Sequence, residues 1–338
     1  MRARFVMSEG RRCRTIQFGP RLPRAPKCTI PAPMTTAAPY LSFGDGKPFA
    51  LRMGLQPLPP DQWIEIDAAY AAQLAKKRDL LATRHADVLQ ALPQSRPASE
   101  EALTLLLDHL HTYHSDRFAF DGGKLRNGAT GEEWDIAHSS LHPLEQAGRL
   151  IQEDFCILQS DDKTSGETYR LTAGAVCFPS NWRLADKIGK KLTDVHGPAP
   201  GYTEKLASPV DRFFKNLPAG TIMWRTNWLI HATAELFQAG HKLDAATAAA
   251  ITPANAGEKL WLRVERQTLR RLPASGAVLF TIRTHVTQLR EALRDAKSAQ
   301  DLATAVRTMP DDVARYRSMS LFRATLSEWL EVRAIRDK

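Results

Sequence analysis

Two clusters in this sequence carry residue types that chemistry needs. One is Asp194-Val-His-Gly-Pro-Ala-Pro-Gly-Tyr202, where His196 is set among Gly197, Pro198, Pro200 and Gly201. A connector fixed by Pro and Gly holds its backbone without regular hydrogen bonding, as loop-borne site residues often are. A neutral imidazole held this way could ligate iron or act as a base, or the histidine could be structural or exposed. The other cluster is the stretch Lys259 to His285, in which Arg263, Glu265, Arg266, Arg270 and Arg271 fall within nine residues.

Two aromatic and cationic groups accompany them, Trp182 with Lys187, and Trp224-Arg-Thr-Asn-Trp228 containing Arg225. Such residues could line an apolar cavity with a few cations and would suit a planar macrocycle bearing two carboxylates, because Arg pairs with carboxylates bidentately. The plainer alternative puts the tryptophans in the core and the arginines in solvent. No HExxH, GxSxG, P-loop or DxD pattern is present, so common hydrolase and phosphotransferase chemistry has no local support. His109, His111 and His114 lack the i,i+4 spacing of helical metal ligands, and favourable placement near a helix C-terminus explains them better. Cys13, Cys28, Cys156 and Cys177 show no CxxC spacing, which points to a reducing, cytoplasmic setting.

These residues need elements to position them. Leu260, Leu262 and Val264 alternate with Trp261, Arg263 and Glu265, and Val278, Phe280 and Ile282 repeat the period-two signal after a Pro273–Gly276 turn. That predicts a hairpin of half-buried strands. Continued alternation puts Arg266 on the face of Leu262 and Val264, so a bulge re-aims it or it points into a pocket. Further strands are expected at Phe49–Leu55, 154–158, 169–178 and 221–231. Helices are expected from Asp67 to Leu92, from an N-cap at Ser99, from Ser180 or Asn181 through Leu192, around 205–217, and at three places after Leu289. Residues 118–147 read as loop-rich. With no GxGxxG or β-α-β alternation, the fold class is α+β with a mainly antiparallel sheet.

The chain has 338 residues, 43% of them apolar, enough for a substantial core. Its net charge is +9, yet residues 1–33 hold eight basic residues against Glu9, so +7 lies there. A nearly neutral body argues against a nucleic-acid partner. That proline-rich N-terminal stretch, residues 1–40 as a whole, is expected to be a disordered tail, with no run apolar enough for a membrane span or secretory signal.

The segments Gly174–Trp182, Lys187–Gly189, Val195–Tyr202, Trp224–Trp228, Val264–Pro273 and Phe280–Arg283 resemble the haem-dependent oxidative N-demethylase family. The resemblance runs from about Phe49 to the mid-280s and extends to the C-terminal helices. It departs at Ala199, where a larger apolar residue is expected, and at His285, where Tyr is expected. The resemblance implies that residues 41–338 form one haem-binding domain, a PAS-like antiparallel sheet with flanking helices and a helical C-terminal segment. It also implies a single haem b and oxygen-dependent removal of a methyl group from a small alkylamine as formaldehyde. Electrons would come from NADPH through a separate flavin and iron–sulfur reductase. In that frame His196 is the iron ligand, Lys187, Arg225 and Trp228 contact the cofactor, and Glu265 and Arg266 serve substrate or distal chemistry, the alternative being that Glu265 satisfies Arg263 or Arg266 structurally. The rival from another class is a haem sensor or carrier that binds without turnover.

Overall fold

The computed structural model describes residues 40–41, 43, 46–160, 168–241 and 243–335. The expected N-terminal tail therefore falls almost wholly outside the described residues. The fold is α+β. A seven-stranded antiparallel sheet combines β1 (Gln56–Pro57), β2 (Leu89–Ala91), β6 (Asp154–Ser160), β7 (Tyr169–Ala175), β8 (Ile222–His231), β9 (Trp261–Arg271) and β10 (Val278–Gln288), in the order β1-β8-β9-β10-β6-β7-β2. A smaller meander of β3 (Phe118–Asp121), β4 (Lys124–Asn127) and β5 (Glu133–Asp135) occupies the stretch expected to be loop. Its strands are only three or four residues long, too short for the alternation to register in the sequence.

The expected hairpin is β9–β10, paired from Val278↔Arg271 to Gln288↔Trp261 around a turn in which Gly276 has φ +70°. Both of its faces are covered, so the strands are not half-buried. On one face Leu262 and Val264 pack with Trp228 and Ile230 of β8 against the C-terminal helices Ala296–Thr308 and Arg323–Ile335. Further along the same face, Phe155, Ile157 and Leu279 pack with helices Tyr70–Thr83, Arg96–Tyr113 and Pro143–Leu150. The opposite face, with Cys156, Leu158, Leu171 and Leu269, meets only short helical turns and a hollow.

Several helix expectations change. The helix expected over 67–92 ends at Thr83, is followed by a turn of helix at His85–Val88, and then gives way to β2, which pairs with β7. Ser99 lies inside helix Arg96–Tyr113, donating from Oγ to the Ser95 carbonyl at 2.9 Å, and does not cap it. The helix expected after Ser180 is only a 3-10 turn at Leu184–Asp186. Gly174 explains how tightly that turn sits on β7: a Cβ there would lie 2.9 Å from Leu184 Cδ1. Phe49–Leu55 is neither helix nor strand, although its residues alternate between half-buried and exposed as the sequence pattern requires.

A buried charge ties the helices to the sheet. Lys77, fully buried, donates Nζ to the carbonyls of Ile151 and Glu153 at 3.1 and 2.5 Å and pairs with Asp154 at 3.2 Å. Asp154 Oδ2 in turn accepts from the Phe178 amide at 2.7 Å. Removing one partner of such a pair strands the other charge, at roughly 3–5 kcal/mol. Lys77→Ala is therefore expected to lower the unfolding free energy by about that amount in urea titrations, with Lys77→Met losing as much.

Candidate functional site

The hollow on the open face is a cavity of about 430 Å³, within the range of small-molecule and cofactor sites. Its floor is the sheet. Arg225, Asn227 and Leu229 of β8, Glu265, Gln267 and Leu269 of β9, and Phe280 and Ile282 of β10 all point into it. They share a face because the paired positions Arg225↔Gln267, Asn227↔Glu265 and Phe280↔Leu269 are cross-strand neighbours. The outer wall has no ladder. It is made of Leu51, Met53 and Leu55 from the extended segment, Trp182 and Lys187 from the loop after β7, and short helices over Leu192–His196, Tyr202–Lys205 and Ala207–Asn216.

His196 lies on this outer wall, half-buried and lining the cavity. It ends the helical turn Leu192–His196, so its backbone is helical and not the irregular connector expected. Its Nδ1 donates to the Leu192 carbonyl at 3.0 Å, and its ring stacks on Tyr202 at 4.6 Å and 17°. With Nδ1 carrying the proton, Nε2 keeps its lone pair, the arrangement in which a second partner orients a ligating histidine. Burial, with the Lys187 and Arg225 charges adding to it, pushes the imidazole down to about 4, the Leu192 carbonyl opposing. Gly201, φ +74°, joins this turn to the next and places Tyr202 on the ring.

Two expected cations face the cavity without acceptors. Lys187 Nζ lies 4.6 Å from the centroid of the Trp182 ring and makes no hydrogen bond among the described residues. Arg225 has a buried Nε with no partner. Burial pulls both below their ordinary basic range. A third cation, Arg317, lines the cavity from the C-terminal segment, and burial with the neighbouring Arg225 charge pushes it down to about 10. Nothing near Arg317 in sequence marks it; it arrives ninety residues after β8 through tertiary packing. Glu265 is the one carboxylate among the lining residues, leaving an excess of two positive charges. A dicarboxylate would cancel that excess.

Arg266 and Trp228 are not brought here. Arg266 lies on the opposite face of β9, where its Nε pairs with Glu65 at 3.1 Å, its Nη1 and Nη2 donate to the Trp63 and Gln62 carbonyls, and its guanidinium stacks on Trp224. Neither the bulge nor the pocket anticipated for it is found, since a buried ion pair accommodates it on the core face. Glu65 also accepts from His285 Nε2 at 3.1 Å, so the expected-Tyr position serves this far-side network. Trp228 packs edge-on against Phe43 in the core beneath the C-terminal helices. The other strand arginines are likewise engaged: Arg263 donates to the Phe178 and Leu236 carbonyls, Arg270 stacks on Trp63, and Arg271 donates to the Leu217 and Gly276 carbonyls. Of the charged set on β9, only Glu265 meets the cavity.

His109 and His114 lie near each other at 5.3 Å between ring centroids, but no group of three or more metal-ligating side chains occurs among the described residues. No described helix is long and apolar enough to cross a membrane. Residues 54–327 match the family model described as haem-dependent oxidative N-demethylase, alpha subunit-like.

The depressed pKa of His196 gives a pH dependence of definite sign. The unfolded chain binds a proton near 6.5 and the folded one near 4, so folding favours the neutral ring above 6.5 and loses that contribution as pH falls toward 4. Ring 15N shifts of His196 are expected to show the Nδ1–H tautomer at pH 6 with a protonation midpoint about 4. A midpoint above 6 would refute this assignment of its surroundings.

Proposed function

The chain belongs to the haem-dependent oxidative N-demethylase alpha-subunit-like family, and from that premise we propose that it is a haem-dependent monooxygenase subunit acting on a small alkylamine. The observation carrying this reading is His196, which lines a cavity holding acceptor-less cations and whose Nδ1 is held by the Leu192 carbonyl, leaving the Nε2 lone pair available. Haem b fits what the chain offers: apolar walls, an imidazole with a free Nε2, and cations in excess by the charge of two propionates.

His196 would hold the iron through Nε2, with Leu192 fixing the ring and Tyr202 supporting its face. Lys187 and Arg225 would take the carboxylates, whose oxygens satisfy the unpartnered Nε and ammonium. Glu265 would accept from the substrate ammonium, compensating its charge where the apolar walls exclude water. Trp228 and Arg266 carry no role in this site. Bound haem would supply the iron at which dioxygen is reduced and the N-methyl C–H bond oxidised. Overall, the methylamine, O2, NADPH and a proton give the demethylated amine, formaldehyde, NADP+ and water. The electrons would arrive through a separate flavin and iron–sulfur reductase, in keeping with a family described by an alpha subunit.

Purified protein reconstituted with haem is expected to show a Soret band that shifts and weakens in His196→Ala. Lys187→Ala and Arg225→Ala should each weaken haem affinity by about tenfold, the loss of one charge-assisted contact. With reductase and NADPH, a small N-methylamine should yield formaldehyde. Stable haem with no turnover across small amines would instead favour the sensor or carrier reading.

A further inference from the structure

The polar side of the cavity is ordered by Arg317, which no sequence motif marks. It lies between helices Asp311–Tyr316 and Arg323–Ile335, its guanidinium 5.3 Å from the Phe49 ring and 5.2 Å from that of Trp228. Nη1 donates to the Trp228 carbonyl at 2.5 Å and Nη2 to Asn227 Oδ1 at 3.4 Å. The next residue, Ser318, has φ +59° and its Oγ accepts from Asn181 Nδ2 at 3.1 Å, while Asn181 itself has φ +60°. Left-handed backbone is uncommon outside glycine and persists where surrounding contacts over-determine it, so two such residues bonded to each other pin this segment to the cavity rim.

The guanidinium decides how the Asn227 amide faces. With Oδ1 occupied by a donor, the NH2 group turns to Glu265 and donates to Oε2 at 3.4 Å. Gln267 Nε2 donates to the same oxygen at 3.0 Å. Both donors therefore fall on Oε2. Oε1 forms an ion pair with Arg263 Nε at 3.8 Å, too long for a hydrogen bond, so it retains its acceptor capacity.

We propose that Arg317 is a positioning residue: through Asn227 it commits Oε2 of Glu265 to the protein and presents Oε1 to a ligand ammonium N–H. This deepens the alkylamine reading and rests on it. It also defines the substrate class, a protonated amine carrying at least one N–H, so primary, secondary and tertiary ammonium ions qualify and quaternary ones do not.

Trimethylammonium and tetramethylammonium differ by that one N–H and a methyl group, so ligand-observed NMR titration of the haem-loaded protein tests the idea. Trimethylammonium should bind about tenfold more tightly. Arg317→Met and Asn227→Leu should each erase most of that preference, the double variant should lose no more than either single one, and Arg317→Lys should recover part of it. All variants should keep the Soret band. Equal binding of the two ions by wild type, an unchanged preference in Asn227→Leu, or additive losses in the double variant overturns the proposal. Asn227→Leu decides the matter alone if Arg317→Met does not fold. Wild-type protein that takes up no haem overturns the cofactor reading, and the same titrations on the haem-free protein still decide the role of Arg317.

Discussion

The uninterrupted ladder between β9 and β10 is the constraint on which the rest of the molecule depends. Eleven consecutive pairs run from Val278↔Arg271 to Gln288↔Trp261. Because side chains alternate, that register sends Glu265, Gln267, Phe280 and Ile282 to the cavity and Arg266, Thr268, Thr281 and Arg283 to the other face. A slip of one residue would exchange the two sets. The buried Thr268–Thr281 hydroxyl pair, at 2.5 Å, is a contact that only the observed register permits.

The two faces handle charge in opposite ways. On the far face Arg266 has found Glu65, Arg283 has found Asp67 at 2.5 Å and Lys77 has found Asp154, while Arg270 rests on the Trp63 ring with its Nε unpartnered among the described residues. Burying such groups is costly, and the pairing offsets that cost. On the cavity face Lys187 and Arg225 keep theirs open. Perturbed cations without partners beside a hollow are what a binding surface looks like, whereas the same residue types fully paired are architecture. This contrast separates Arg266 from Arg225 although both lie on neighbouring strands of one sheet.

What was legible in the sequence follows from how local its cause is. The hairpin, its turn, β8 and the antiparallel class come from period-two patterning and turn residues acting over a few positions. His196, Lys187, Arg225 and Glu265 were marked by their residue types, and all four line one cavity. Arg266 misled because its pairing with Glu65, two hundred residues away, leaves no trace near either residue. Arg317 was invisible for the same reason. The long helix expected over 67–92 breaks at Arg84, where the backbone leaves the helical region, and from Leu89 onward pairing with Ala175 outweighs helical spacing. The meander over 118–135 was missed because its strands are too short to show a period.

The cavity has walls of unequal mechanical character. Its floor is a laddered sheet packed on its far side by helices, while its outer wall is a run of short helical turns and the segment 47–55, which has no ladder bonds. Segments with few backbone and apolar ties open at low free energy while the sheet stays intact. Leu192, Phe214 and Leu217 hold the helical turns on the sheet, so a large planar guest would enter where segment 47–55 parts from them, and its loading rate would follow that local opening and not global unfolding. A guest seated between His196 on the outer wall and Arg225 on the sheet would act as a cross-link, so the wall that lacks a ladder would become the part its occupant stiffens most.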